Sequence, residues 1–257
     1  MHINIFVVNL SSPMKENKDT LLQKGRRRLL VGQLEAIGLF SDKVMKAIGT
    51  VPRHLFVQEG LEDMAYKDTP VAIAAGQTIS QPSTVALQTQ LLEIKSGSRV
   101  LEIGTGCGYQ TAVLFYLGAE VYSIERQEEL FHQAAKNLNR AGYFFAEKLA
   151  GENATRIDSG KIHLFLGDGF AGLEEEAPFD AIVVTCGAPE VPIELLHQLA
   201  PGGRLVIPVD IDDPKDKRKK EQILKLIVKM TDGRFKAKNI SKMSFVPMLK
   251  GIEKKKK

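Results

Sequence analysis

A chain of 257 residues with 44% hydrophobic and 26% charged side chains has the composition of a globular protein able to bury a sizeable core, and it excludes disordered and fibrous classes. Cys107 and Cys186 are the only thiols, so neither a disulfide framework nor a cysteine-based metal site is expected. The net charge of +4 is uneven: from Asp210 onward sixteen Lys and Arg stand against seven Asp and Glu, so the rest of the chain is acidic.

The N-terminal run "INIFVVNL" is too short for a secretory core, is interrupted by Asn4 and Asn9 and lacks a basic leader. Residues 1–20 are therefore expected to be a tail. No stretch approaches the ~18 apolar residues of a membrane span, and a cytoplasmic protein is expected. Residues 15–50 read as helix, because "RRRLLVGQLEAIG" and "SDKVMKAIG" repeat apolar residues three and four apart. Ser41 is a candidate N-cap, and a glycine stands at each exit. "SQPSTVALQTQLLEI" opens another helix, with Ser80 or Gln81 as the cap and Pro82 in the first turn.

From Arg99 onward strand and helix signals alternate. "RVLEI", "EVYSI", "IHLFL", "AIVVT" and "RLVIP" are short β-rich runs, and helix-like segments at 109–117, 127–141 and 191–198 separate most of them. The pattern predicts a doubly wound, mostly parallel sheet with helices on both faces. After Pro208 two further runs, "QILKLIVKM" and "FKAKNISKMSFVPM", join across the turn residues "TDGR". An antiparallel hairpin is thus expected to close the sheet. With no internal repeat and no Pro/Gly/Ser linker, residues 21–257 are expected to form one domain: N-terminal helices and a substrate-side loop (21–98), a ligand-binding core (99–209), and a hairpin with a basic tail (210–257). "KDKRKK" and the terminal "KKKK" read as a hairpin tip and a frayed end; weak contact with nucleic acid or acidic surfaces is the alternative.

In such sheets ligands bind at the carboxyl ends of the strands, where strand order reverses. "EIGTGCG" occupies one such end and opens a helix, so Gly104, Gly106 and Gly108 would let a ligand approach the backbone. Tyr109 stands where a dinucleotide fingerprint needs its third glycine, which argues against NAD. Glu125 ends the next strand run, in position to accept the hydroxyls of a ribose. Asp168, in "LGDGF", follows the third. Each feature alone could be a turn or a solvated residue; together they suggest a nucleoside whose partner is not a phosphate.

"VLEIGTGCGYQTAVL", "VYSIE", "GDGF", "APFDAIVVT" and "LAPGGRLVIPV" resemble, in order and spacing, the motifs of class I S-adenosylmethionine-dependent methyltransferases, whose fold is Rossmann-like. "VPRHLFV", "AYKDTPVAIAAGQTISQPSTVA" and "FVPM" narrow the resemblance to the protein-L-isoaspartate O-methyltransferase family, over about residues 30 to 250. The resemblance implies methyl transfer from S-adenosylmethionine to the free α-carboxylate of L-isoaspartyl residues in damaged proteins and peptides, starting repair through a succinimide. It further implies that Glu102, Gly104 and Gly106 line the methionine end of the cofactor, that Glu125 holds the ribose, and that Gly167 and Asp168 meet the adenine side. Thr78, Ile79 and Ser80 would cover the cofactor, with Ser80 as the catalytic residue, and Gln222 aligns with a glutamine near the same pocket. Cys107 stands where the family mostly has serine, and Ser83 where it often has tyrosine or histidine.

The chemistry gives partial independent support. A carboxylate acceptor has a reference pKa of ~4 and needs no base at neutral pH, unlike a hydroxyl or amide. None of the five histidines falls in the ligand-lining loops, and no metal-spaced cluster is evident, so no metal is expected. A class I methyltransferase acting on RNA or a small molecule, and a non-catalytic nucleoside-binding module, remain open alternatives. So do two roles for Ser80, cap and acceptor ligand.

Overall fold

The computed structural model describes residues 19–144, 155–212 and 220–254. Residues 1–18 of the expected tail, most of the "KDKRKK" tip and the last three lysines lie outside them. Two helices open the fold, α1 (Leu21–Ile37) and α2 (Asp42–Thr50). Thr20 and Gln23 form a reciprocal capping box at the start of α1, and Gly38 ends it with a left-handed φ of 70°. Ser41 is the α2 N-cap, although its side chain makes no capping bond. The expected glycine exit from α2 is corrected: Gly49 lies inside the helix, and the chain leaves through extended Val51.

Next come β1 (Val71–Ala72) and β2 (Thr78–Ile79), a small antiparallel pair, and then α3 (Pro82–Leu92), with Gln81 at its N-cap and Pro82 at its first position. The core follows in alternation: β3 (Arg99–Ile103), α4 (Tyr109–Tyr116), β4 (Glu120–Glu125), α5 (Glu128–Arg140), β5 (Arg156–Ser159), β6 (Ile162–Leu166), β7 (Phe179–Val184), α6 (Ile193–His197) and β8 (Leu199–Asp212). The closing hairpin is β9 (Lys220–Lys229) and β10 (Phe235–Met243). β5 was not foreseen, and β10 stops at Met243, short of the expected "SFVPM".

The eight-stranded sheet has the order β10-β9-β8-β7-β3-β4-β6-β5. β8, β7, β3, β4 and β6 run parallel, while β9 and β10 on one edge and β5 on the other are antiparallel. From β3 the chain winds outward to β4 and β6, then returns to β7 and β8 on the opposite side. The reversal point therefore lies at the carboxyl end of β3, as the alternation predicts.

Strand alternation divides the core between the two faces of this sheet. Val100, Val121, Ala181 and Val183 pack with residues of α1 to α5, whereas Leu101, Ile103, Tyr122, Ile124 and Ile182 pack with Leu195 of α6 and with Met248. Most of these strand side chains are fully buried. Apolar residues on both faces of each central strand explain why the runs read as continuously hydrophobic.

Candidate active site

One cavity opens at the carboxyl ends of β3, β4 and β7. Its floor is the turn between β3 and α4. Gly104 has φ 93°, and a Cβ there would stand 2.5 Å from Thr185 Oγ1, so only glycine allows β3 and β7 to end this close together. Thr185 Oγ1 in turn donates to the carbonyl of Gly104 at 2.8 Å. At Gly106, φ 55°, the nearest atom to an added Cβ would be Ile73 Cδ1 at 3.6 Å. Bare backbone therefore faces the cavity, as a cradle for a bulky ligand requires. Asn137 Nδ2 fixes the same turn from α5 by donating to the carbonyl of Cys107 at 3.0 Å.

Glu125 ends β4 at the cavity wall. Its two carboxylate oxygens accept from the backbone N–H of Gly106 and of Gln127, each at 2.9 Å. These bonds fix its orientation and leave each oxygen a further lone pair. Burial raises its pKa above the usual carboxylate value, partly offset by those bonds. Such a group can accept two hydroxyl protons from a diol.

Glu102 is placed differently from what the resemblance implies. It is fully buried beneath the turn, outside the cavity lining, where Thr111 Oγ1 and Ser123 Oγ donate to its Oε2 at 2.5 and 2.8 Å. Its Oε1 has no partner, and burial pushes the pKa up to about 8. Gly167 and Asp168 also lie outside the lining; their neighbour Gly169 takes part in it. Asp168 Oδ2 accepts from the Gly251 N–H at 2.7 Å, and Oδ1 from Phe170 N–H at 2.9 Å. Gln222 lies outside the lining as well. Its Oε1 accepts from Phe245 N–H at 2.6 Å and its Nε2 donates to Asp210 Oδ1 at 3.2 Å, over a space left free by Gly187.

Two segments cover the cavity from opposite sides. Gln77, Thr78, Ile79 and Ser80 form the first, next to Ala75, which has a left-handed φ of 55°. Asp68 supports this side by accepting from Ser83 N–H at 2.8 Å. Tyr66 is core-facing and hydrogen-bonds His54 Nδ1 at 2.7 Å, and Phe56 and Val57 are core. The second cover is the strap 246–249, of which sequence reasoning assigned residues 246–248 to a strand. Gly187 N–H donates to Val246 O at 2.8 Å, and Met248 N–H to Gly187 O at 2.7 Å. Farther on, Arg126 donates to Gly251 O and pairs with Glu253 at 2.8 Å. Thr185, Cys186 and Arg126 line the cavity without having been singled out. The signal for the strap was present in "FVPM", which the family resemblance quoted as a motif apart from the strand run. Among the described residues, no group of three or more His, Cys, Asp and Glu could hold a metal ion.

A mostly parallel sheet with a glycine turn and an acidic residue at adjacent strand ends is the framework of nucleoside-dependent methyltransferases of class I. The chain belongs to the protein-L-isoaspartate(D-aspartate) O-methyltransferase family, whose model matches residues 25–253. It is 47% identical over 232 residues to the protein-L-isoaspartate O-methyltransferase of Christiangramia forsetii, covering 90% of this chain and 98% of that protein. The enzyme of that name from Geobacter metallireducens is 42% identical, covering 87% and 93% of the two chains. Among solved structures, a putative protein-L-isoaspartate O-methyltransferase of Plasmodium falciparum in complex with S-adenosyl-L-homocysteine superposes with a TM-score of 0.71 at 28% identity, covering 88% and 99%.

Proposed function

We propose that this chain is the enzyme that transfers a methyl group from S-adenosylmethionine to the free α-carboxylate of L-isoaspartyl residues in damaged proteins and peptides. The observation that carries the reading is the family match across residues 25–253, joined to a single cavity that gathers the glycine turn, Glu125 and the Thr78–Ser80 loop. The donor set suits a sulfonium nucleoside: a bare-backbone cradle at Gly106, a fixed carboxylate at Glu125, and apolar walls from Ile79, Ile124 and Met248.

When bound, S-adenosylmethionine supplies an activated methyl group. Gly104 and Gly106 would hold its methionine end and Glu125 its ribose. Glu102 acts from below by fixing Thr111 and Ser123 behind the turn. Gly167 and Asp168 support the adenine side through Gly169 and the strap, and Gln222 supports it by holding Phe245. Thr78 and Ile79 close the cover. Ser80 would bind the acceptor carboxylate through its hydroxyl and aim one oxygen at the methyl group that S-adenosylmethionine supplies, a C–O bond replacing the C–S bond, and this positioning would supply most of the rate. An ionised carboxylate needs no base, in keeping with a lining that holds no histidine among the described residues. The backbone nitrogen of the following residue then attacks the ester carbonyl, its proton leaves with methoxide as methanol, and water opens the resulting succinimide partly to normal aspartate.

Isoaspartate adds a methylene to the backbone, so the acceptor groove takes an extended peptide. Residues 21–257 act as one methyltransferase unit, working on cytoplasmic proteins rather than nucleic acid, without a metal. No helix among the described residues is long and apolar enough to cross a membrane. Methyl incorporation into an isoaspartyl peptide and its aspartyl twin tests the proposal. Transfer to the isoaspartyl form alone is expected; equal transfer to both, or to neither, contradicts it.

A further inference from the structure

Arg53 lies in "VPRHLFV", in a single helical turn at Arg53–Leu55, and is fully buried. Its Nε donates to the carbonyl of Ala65 at 2.8 Å, and its Nη2 to the carbonyl of Ser80 at 2.7 Å. The guanidinium also stands 4.8 Å from the centroid of the Tyr109 ring, at the first residue of α4 and on the cavity wall. Arg53 Nη1 has no hydrogen-bond partner. The carboxylate whose field reaches it is Asp68, and that group is already tied to the Ser83 backbone N–H.

Burying a guanidinium without a paired carboxylate costs several kcal/mol, and an aliphatic side chain would fill the same volume without that cost. What an aliphatic residue lacks is the rigid fork that reaches two carbonyls at once. The fork joins three pieces of the site: the turn before β1, the backbone at Ser80, and the start of α4. Ser80 needs such an anchor. β2 beside it has two residues, and neither Gln81 nor Ser80 makes a side-chain capping bond to α3.

We propose that Arg53 is a positioning residue for methyl transfer, clamping the Ser80 carbonyl so that the Ser80 hydroxyl is held towards the acceptor carboxylate. This rests on the assignment of Ser80 as the acceptor ligand. Arg53 itself touches neither cofactor nor substrate.

The test is a double-mutant cycle between Arg53→Lys and Ser80→Ala in the full chain. It reads single-turnover transfer to a saturating isoaspartyl peptide, S-adenosylhomocysteine affinity by calorimetry, and thermal unfolding of each variant. Lysine keeps the charge but cannot fork to two carbonyls. The expected result is a loss of tenfold or more in the Arg53→Lys rate, affinity within threefold of the parent, and a loss under threefold when Ser80 is already alanine. An equal loss in both backgrounds, a loss that tracks affinity or unfolding, or an unchanged rate overturns the proposal. Arg53→Gln, uncharged and able to donate to one carbonyl, is read by the same ratio should the lysine variant not fold. A Ser80→Ala enzyme as fast as the parent would refute the Ser80 assignment itself, and with it Arg53 acting through Ser80. Additive losses refute the role of Arg53 alone.

Discussion

Glu102 and Glu125 end up in different surroundings because their strands end differently. Glu102 sits on the face of β3 that also carries Val100, where α4 places Thr111 over it. Strand alternation alone would have put it there, but the motif resemblance carries no side-chain direction and grouped it with the cavity wall. Its raised pKa has a sign that can be measured. The folded protein holds the Glu102 proton more tightly than the unfolded chain, so this contribution is fully present below the ordinary value of 4.5 and is lost as pH rises through about 8. The melting temperature of the parent should therefore fall between about pH 5 and pH 8, and Glu102→Gln, close in shape to the protonated acid, should flatten that part of the profile. An equally steep profile in the variant would show that Glu102 is not the group titrating. Gly104 is a second residue-scale case. Alanine there meets Thr185 Oγ1 at 2.5 Å in a left-handed conformation, and Gly104→Ala should lose about 1–3 kcal/mol of stability, read by chemical denaturation. Ser80 is simpler: Ser80→Ala should slow single-turnover transfer by roughly tenfold to a hundredfold, the cost of imprecise aim, with S-adenosylhomocysteine affinity unchanged.

At the scale of elements, what was legible was what periodicity encodes. β3, β6 and the hairpin turn were read close to their observed positions, because short β-rich runs between helical segments leave few alternatives. β5 was missed because Arg156–Ser159 is polar and pairs only with β6 at the sheet edge. The strap was missed for the opposite reason. "SFVPM" carries strand-like residues, yet it leaves the ladder after Met243 and hydrogen-bonds to Gly187, a contact set by tertiary position alone. Gln222 joins these two behaviours, since it belongs to β9 and accepts from the N–H of Phe245, the residue just before the strap. Gln222→Ala should speed amide exchange across residues 245–253 and weaken S-adenosylhomocysteine binding by about tenfold, roughly the ~1.4 kcal/mol of one hydrogen bond, with little change in global unfolding. Unchanged exchange in the strap would show that other contacts hold it.

For the whole molecule, one sheet carries both cores, with helices α1 to α5 against one face and α6 with Met248 against the other. Part of the uneven charge has a structural reason. Lys236, Lys238 and Lys242 lie on β10, the outer edge strand, where lysines discourage pairing with another sheet. The most global consequence is that cover loop, glycine turn, Glu125 and strap, running from Gln77 to Leu249 in the chain, bound one cavity. Hydrogen exchange with and without saturating S-adenosylhomocysteine tests that claim most directly. Slowed exchange is expected together at residues 77–80, 104–110, 124–127, 185–186 and 246–249. Protection confined to one of these segments, or concentrated in α1 and α2 away from these strand ends, would contradict it.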